Sequence, residues 1–285
     1  MKNFKYFRPK NLDELLAIKN ELKEEARLLA GGSNLLVYIK EGSLKSGTLV
    51  DIGSLAALKG IREKDGYLEI GAAETIIDIM ASPVVSEKLP FLRESLRVFA
   101  NPLIRNISTV AGNIAEGSPI ADTAPLLLVL NSEVVAASIT GRRNIPIDDF
   151  FISLGKTEIK ANEVIITIRI PIPETGRGKF VKLGLRKGTS CSVVSVAVWL
   201  IANGRGVEDI RIALGGVAPL PLRAVKTEAL FRGKILNEHN IGELALEVTN
   251  EITPITDVRG GAAYRSEVSA ALLSKAVREC LGMEE

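Results

Sequence analysis

The stretch NPLIRNISTVAGNIAEGSPIAD, from Asn101 to Asp122, lies between two apolar parts of the chain and carries the strongest indication of its fold. It contains two glycines, two serines and three asparagines, whereas hydrophobic residues make up 46% of the whole chain. Small hydrogen-bonding residues are typical of a long surface loop. They are equally typical of a backbone that must come very close to a neighbouring group. The composition of this stretch leaves both interpretations open.

A second stretch of the same kind, AGGSN, spans Ala30–Asn34 and follows a short apolar segment predicted to be a strand. Gly31 and Gly32 permit positive φ and close approach of the backbone, and successive N–H groups in such a turn can bind an anion. Ser33 and Asn34 would add side-chain donors. The spacing matches neither a P-loop nor the G-x-G-x-x-G dinucleotide fingerprint, so a plain tight turn is the alternative interpretation.

Within the opening stretch, TVAGN at Thr109–Asn113 repeats this composition. Two such loops indicate two backbone surfaces that bind one pyrophosphate, because its oxygens need several N–H donors. Asp122 would then accept a hydrogen bond from a ribose or ribityl hydroxyl or a ring N–H. It could instead, or in addition, cap the helix predicted to start at Thr123. Arg105 would either contact a phosphate or anchor the loop.

Composition excludes several classes of function. The formal net charge of +2 gives no indication of nucleic-acid binding. We expect neither a membrane span, which needs roughly 20 apolar residues, nor a secretory signal. Cys191 and Cys280 predict no disulfide framework, which favours a reducing, cytoplasmic compartment. His239 is the only histidine and is expected to be exposed near a helix start. Two cysteines and one histidine are too few ligands for an iron–sulfur cluster or a usual structural zinc site. Any chemistry is therefore expected to come from a bound cofactor.

Hydrophobic periodicity predicts a mixture of helices and strands in the first part of the chain. Asn11 is predicted to cap a first helix, and Thr75 is predicted to cap a short one. Strands are predicted at 49–54 and 67–73, and a hairpin turn is predicted at Gly141.

The alternating strand predicted at 163–173 ends at two prolines, which marks the best candidate for a domain boundary. Beyond it we predict three antiparallel strands followed by helices at 225–232, 239–251 and 264–281. Strands followed by helices in this order are typical of an α+β unit.

Five motifs in the chain resemble those of one known family. In chain order they are AGGSNLL (30–36), NPLIRNISTVAGNIAEGSPIADTAPLLLVL (101–130), KFVKLGLRKGTSCSVVSVAVWL (179–200), IALGGVAPLPLRAVKTEALFRGK (212–234) and ITPITDVRGGAAYRSEVSAALLSKAV (252–277). Together they resemble the FAD-binding medium subunit of the molybdenum hydroxylases, which include carbon monoxide dehydrogenase and xanthine dehydrogenase. The resemblance extends over nearly the whole chain, and five motifs in one order are far more specific than a single glycine pair.

The resemblance implies an α+β fold. A two-lobed α/β FAD-binding domain of the vanillyl-alcohol-oxidase (PCMH) type is expected at 1–172, with lobes at about 1–55 and 56–172. A C-terminal α+β domain of the carbon monoxide dehydrogenase flavoprotein type, with a three-stranded antiparallel sheet and helices, is expected at 173–285.

The resemblance also implies the residues that bind FAD. Most would line its pyrophosphate and ribityl chain, Asp122 falls where the family has an aspartate at the flavin site, and Lys182 would lie in a strand beside the flavin ring. The full set is Ala30, Gly31, Gly32, Ser33, Asn34, Leu35, Thr109, Val110, Ala111, Gly112, Asn113, Asp122 and Lys182. Ala111 departs from the family, which usually has a glycine there, and we expect it to fit if its φ is negative.

The function implied is electron transfer. The FAD subunit would receive electrons from [2Fe–2S] clusters of a small subunit, beside a large molybdopterin-binding subunit, and pass them to an external acceptor. A dimer of such heterotrimers is expected, with FAD but no metal or iron–sulfur cluster in this chain. One alternative is a non-catalytic FAD-binding assembly or storage factor for such a complex. Another is a stand-alone flavin reductase of the same fold. The motif DVRGGAAYR at 257–265 argues against this second alternative.

Overall fold

The N-terminal part of the chain forms a three-stranded parallel sheet with two helices. The computed structural model describes residues 3–186 and 191–283. The first elements are β1 (Phe4–Phe7), α1 (Leu12–Leu22), β2 (Ala26–Leu29), α2 (Leu35–Glu41) and β3 (Gly47–Asp51). β3 lies between β1 and β2 and pairs in parallel with both. Asn11 caps α1 as predicted, since its side chain accepts a hydrogen bond from the Glu14 N–H at 2.8 Å.

A five-stranded antiparallel sheet and a layer of short helices follow. The elements are β4 (Ile61–Lys64), β5 (Tyr67–Gly71), α3 (Ile76–Ala81), α4 (Pro83–Lys88), α5 (Pro90–Leu96), α6 (Pro102–Arg105), α7 (Val110–Ala115), α8 (Thr123–Val129), β6 (Glu133–Ser138), β7 (Gly141–Pro146), α9 (Ile147–Phe150), β8 (Phe151–Ser153), β9 (Lys156–Thr157) and β10 (Val164–Pro171). The strand order is β4-β5-β10-β6-β7, and β8 pairs with β9. Thr75 caps α3 and Gly141 ends the β6–β7 hairpin turn, as predicted.

The C-terminal part is an antiparallel sheet covered by helices. Its elements are β11 (Arg177–Gly184), β12 (Ser192–Asn203), β13 (Gly206–Gly215), β14 (Leu222–Arg223), α10 (Val225–Phe231), α11 (Glu238–Leu246) and α12 (Ala262–Cys280). The strand order is β11-β12-β13-β14. Periodicity missed β14, because two residues are too few to show an alternation. Residues 187–190, part of one motif that carries the resemblance, lie outside the described residues.

The opening stretch is not a long loop. It folds into α6 and α7, and its backbone packs against other backbone segments. The Ile76 N–H donates to the Ser108 carbonyl at 2.8 Å, and Thr109 forms an isolated antiparallel bridge with Thr75. Its small residues therefore permit close backbone packing, the second of the two interpretations.

The C-terminal sheet is buried on both faces. One face shares an apolar core with α10–α12, which includes Phe231, Leu273 and Val277. The other face packs against the five-stranded sheet and its helices. There, Trp199 meets Phe91 edge to face, with 5.6 Å between the ring centroids. This packing brings the ends of β12 and β13 against the turn that precedes α8, where the Gly216 N–H donates to the Pro119 carbonyl at 2.8 Å.

None of the helices formed by residues 3–186 and 191–283 has the length and apolar character that a membrane span requires.

Candidate functional site

The first glycine-bearing loop connects β2 to α2 and lies directly on the backbone at Ile107 and Ser108, just before the second loop. A Cβ atom added to Gly31 would sit 1.6 Å from the Ile107 carbonyl oxygen, so only glycine permits this contact. Gly32 has a φ of +71°, in the left-handed region that favours glycine, and the side chains of Leu29 and Leu36 close over it. Gly31 is required by the close backbone contact, and Gly32 is required by its positive φ. A plain tight turn would not need a glycine at position 31.

The same loop contains backbone N–H groups that are suited to binding an anion. Within the described part of the chain, the N–H groups of Ser33, Asn34 and Leu35 donate no hydrogen bond. Consecutive N–H groups without protein acceptors are the donor set that phosphate oxygens require. They lie within four residues of the Gly31–Ile107 contact.

The second loop is held by a side-chain cap. The Gly112 N–H donates to Thr109 Oγ1 at 2.9 Å, which makes Thr109 the N-cap of α7. Ala111 lies in the first turn of α7 and has negative φ, and its methyl group is buried in the core. The alanine at this position is therefore unstrained. Val110 is also buried in the core, so only its backbone is available to a ligand.

Asn113 connects the second loop to the start of α8. Its Oδ1 accepts hydrogen bonds from the Thr123 N–H at 3.2 Å and from Thr123 Oγ1 at 2.6 Å. Among the described residues, Asn113 Nδ2 makes no hydrogen bond and can donate to a ligand. Asn113 thus fixes the residue next to Asp122.

Asp122 is a buried carboxylate with two donors from the C-terminal part. Lys182 Nζ lies 2.5 Å from Oδ2, and Ser192 Oγ donates to Oδ1 at 2.5 Å. The Lys182 side chain is 8% exposed and also donates to the Val98 carbonyl at 3.4 Å. The alternative role as helix cap is wrong, because the Asp122 side chain makes no capping bond to α8. Asp122 and Lys182, which were predicted separately as FAD-binding residues, are brought together, and their charges compensate each other.

Arg105 and His239 have structural positions that indicate no contact with a ligand. Arg105 Nη1 donates to the Arg97 carbonyl at 3.1 Å, which supports anchoring of the loop. His239 lies at the start of α11 with a highly exposed side chain, as predicted. Within residues 3–186 and 191–283, no three His, Cys, Asp or Glu side chains are grouped so as to hold a metal ion.

A side-chain hydrogen bond links the elements that follow the two loops. The Tyr38 hydroxyl, on α2, donates to the Glu116 carboxylate just after α7. This hydrogen bond, followed by burial, raises the pKa of Tyr38 to about 12. The two loops are therefore joined at Gly31 and again at Tyr38.

Sequence reasoning missed Ser192, Tyr38 and Glu116. A serine at the start of a mostly apolar, largely buried strand was the available signal for Ser192. No pattern in the sequence could pair Tyr38 with Glu116, because they lie 78 residues apart.

Comparison with known proteins gives the family. The model of the FAD binding domain in molybdopterin dehydrogenase matches residues 2–173, and that of the CO dehydrogenase flavoprotein C-terminal domain matches residues 179–280. The chain belongs to this family of FAD-binding medium subunits of molybdenum hydroxylases, which are subunits of oxidoreductases. The resemblance and the fold class inferred from the sequence are confirmed.

Individual relatives match nearly the full chain. The carbon monoxide dehydrogenase medium chain of Hydrogenophaga pseudoflava is 33% identical over 274 residues, which cover 96% of each chain. The glyceraldehyde dehydrogenase medium chain of Sulfolobus acidocaldarius is 30% identical and covers 97% of this chain and 98% of its own. A solved structure of carbon monoxide dehydrogenase from Hydrogenophaga pseudoflava superposes with a TM-score of 0.94 at 32% identity, covering 98% of each chain.

The residues present fit the cofactor of this family. A dinucleotide offers pyrophosphate oxygens that need N–H donors, and the N–H groups of Ser33–Leu35 are suitable donors. It also offers hydroxyl and ring N–H groups, for which a fixed carboxylate such as Asp122 is a suitable acceptor.

Proposed function

We propose that this chain is the electron-transfer subunit of a molybdopterin-containing dehydrogenase. In this role it holds FAD across the two joined loops, receives electrons from [2Fe–2S] clusters of a small subunit, and delivers them to an external acceptor. One observation carries the proposal: three adjacent N–H groups, which have no acceptor among the described residues, follow directly on a backbone contact that only Gly31 permits.

Each loop would contribute a different part of the FAD site. Ala30–Leu35 would bind the pyrophosphate through backbone N–H groups, with the side chains of Ser33 and Asn34 as further donors. Thr109–Asn113 would approach from the other side, through the Ala111 N–H and Asn113 Nδ2. Asp122 would accept a hydrogen bond from the cofactor, and Lys182 would border the flavin while compensating the charge of Asp122.

FAD supplies the redox chemistry when bound, since it accepts electrons singly or in pairs. The protein binds the cofactor, orients it and fixes the charges around it. No acid, base or nucleophile of this chain is needed for that task, which agrees with the single exposed histidine.

The partners and the compartment follow from the same proposal. The relatives from Hydrogenophaga pseudoflava and Sulfolobus acidocaldarius are medium chains, which supports assembly with a large and a small subunit. We propose a dimer of such heterotrimers. The cysteine usage favours the cytoplasm as the compartment. The FAD-binding domain is proposed at 1–172, with lobes at about 1–55 and 56–172, and the C-terminal domain at 173–285.

The proposal is tested in two steps. The purified chain should be yellow, and denaturation should release one FAD per chain. It should then be reconstituted with its molybdopterin and [2Fe–2S] subunits, and flavin absorption should fall when substrate is added.

The outcomes separate the proposal from its alternatives. A chain that takes up no FAD contradicts it directly. FAD uptake without flavin reduction in the complex favours an assembly or storage factor. Steady-state turnover of NAD(P)H and a small substrate by the isolated chain favours a stand-alone reductase.

A further inference from the structure

The motif DVRGGAAYR ends on an arginine that is buried inside the C-terminal part. The Arg265 side chain is 2% exposed, although arginine is rarely buried without a structural reason. It extends from the first turn of α12 towards the sheet, and its carboxylate partner Asp257 belongs to the same motif, at 2.5 Å from Nη2. The N–H of Arg259, together with Arg265, lowers the pKa of Asp257.

The other end of the Arg265 guanidinium joins two strands. Nη1 donates to the Val193 carbonyl at 3.1 Å and to the Gly216 carbonyl at 2.8 Å. Val193 lies at the start of β12, and Gly216 follows the end of β13. One planar group therefore fixes the distance between these two strand ends, which a flexible ammonium group could not do.

Both strand ends hold the turn that contains Asp122. Ser192, the neighbour of Val193, donates its hydroxyl to the Asp122 carboxylate. Gly216 donates its N–H to the Pro119 carbonyl at 2.8 Å, and a Cβ on Gly216 would sit 2.5 Å from the Val193 carbonyl oxygen. Two of the donors that hold Asp122 and its turn are thus fixed by Arg265: Ser192 is the neighbour of Val193, and the N–H that holds Pro119 belongs to Gly216 itself.

We propose that Arg265 is a positioning residue of the FAD site: through the two strand ends, it holds the Asp122 carboxylate in the orientation that the cofactor needs. The inference rests on the proposed function, since it takes Asp122 to contact the cofactor. Among the described residues, Arg265 itself donates no hydrogen bond to Asp122 or to the glycine-bearing loops.

The chain contains a matched control in Arg223. This arginine also pairs with a buried carboxylate, Glu228, and donates to the FAD-binding part, at the Asn131 side chain 3.1 Å away. It lies at the opposite end of α8 from Asp122. Arg223→Lys therefore perturbs the junction between the two parts without disturbing the strand ends next to Asp122.

The experiment compares Arg265→Lys and Arg223→Lys in the full chain by FAD titration and by the reduction potential of the flavin at saturating FAD. Lysine cannot serve all three acceptors of Arg265, so Ser192 should hold Asp122 less firmly. We expect FAD to bind about 10-fold more weakly to Arg265→Lys, as for loss of a hydrogen bond to a charged group. We also expect a more negative potential, because a less compensated carboxylate disfavours added electrons nearby. Arg223→Lys should have the same FAD affinity and the same reduction potential of the flavin as the wild type.

Two further variants keep the test decisive. Ser192→Ala removes the donor directly and should shift the potential in the same direction as Arg265→Lys. If Arg265→Lys does not fold, Asp257→Asn replaces it, since it leaves the guanidinium but weakens its anchor, and the same shift is expected.

Equal potentials in the wild type, Arg265→Lys and Arg223→Lys would overturn the inference, as would equal shifts in both lysine variants. A wild-type chain that binds no FAD would contradict the proposed function itself. A wild-type flavoprotein with an unshifted Arg265→Lys potential would contradict only the inference.

Discussion

The two glycine-bearing loops look alike in sequence but use their glycines differently. In AGGSN, Gly31 makes room for the backbone of Ile107, which lies just before the other loop, and Gly32 adopts a positive φ. In TVAGN, Gly112 makes room for the Thr109 cap, and the preceding Ala111 is an ordinary helical residue. A shared composition therefore hides two physical demands: close backbone contact in the first loop and a capped helix start in the second.

The largest effect is expected where the two loops touch. In Gly31→Ala, the added Cβ would overlap the Ile107 carbonyl, which no side-chain rearrangement can relieve. We expect a loss of more than about 3 kcal/mol in the free energy of unfolding and no measurable FAD binding. Denaturant unfolding and FAD titration measure both. Gly242→Ala, within α11 and with open space around it, is the control and should stabilise by about 0.5–1 kcal/mol. FAD affinity like that of the wild type in Gly31→Ala would show that the loop contact is dispensable.

A smaller effect is expected in the second loop. In Gly112→Ala, the Cβ would lie 2.9 Å from Thr109 Oγ1, so the cap must shift. Loss of an N-cap costs about 1 kcal/mol, and we expect FAD to bind about 10-fold more weakly. Thr109→Ala removes the same cap without adding a clash, and its FAD affinity should fall by a similar factor. A large loss in Gly112→Ala with none in Thr109→Ala would mean that the glycine, and not the cap, is what matters.

The link between the loops should matter less still. Tyr38→Phe removes the hydrogen bond to Glu116, which we expect to cost about 1 kcal/mol of stability and about threefold in FAD affinity. The stability cost should depend on pH. Folding raises the pKa of Tyr38 to about 12 from about 10 in the unfolded chain, so the bond stabilises fully below about pH 10. The difference between wild type and variant should shrink as pH rises towards 12, as followed by denaturant unfolding. A difference that is unchanged across this range would rule out the phenol as its source.

The smallest effect on FAD is expected at Ala111. Ala111→Gly restores the residue that the family usually has at this position, but removes a buried methyl group from a helix. We expect about 1 kcal/mol of lost stability and an unchanged FAD affinity. Tighter FAD binding by the variant would show that the alanine hinders the cofactor.

The two loops and the helix caps could be predicted from the sequence, whereas the contacts between distant segments could not. Both loops were found from composition, and the Asn11 and Thr75 caps follow from local chemistry that a short window contains. The contact of Gly31 with Ile107 depends on a distant segment, so no local pattern shows it. The same is true of Ser192, which reaches Asp122 across 70 residues. Local rules find a glycine, but only the fold shows what it faces.

The most direct test of the account is hydrogen–deuterium exchange of the backbone amides with and without FAD. The N–H groups of Ser33, Asn34 and Leu35, which have no acceptor among the described residues, should exchange rapidly in the FAD-free chain. FAD should slow their exchange strongly, while amides of α11 around Gly242 should not change. FAD binding that leaves the exchange of Ser33–Leu35 unaltered would contradict the claim that this loop holds the pyrophosphate.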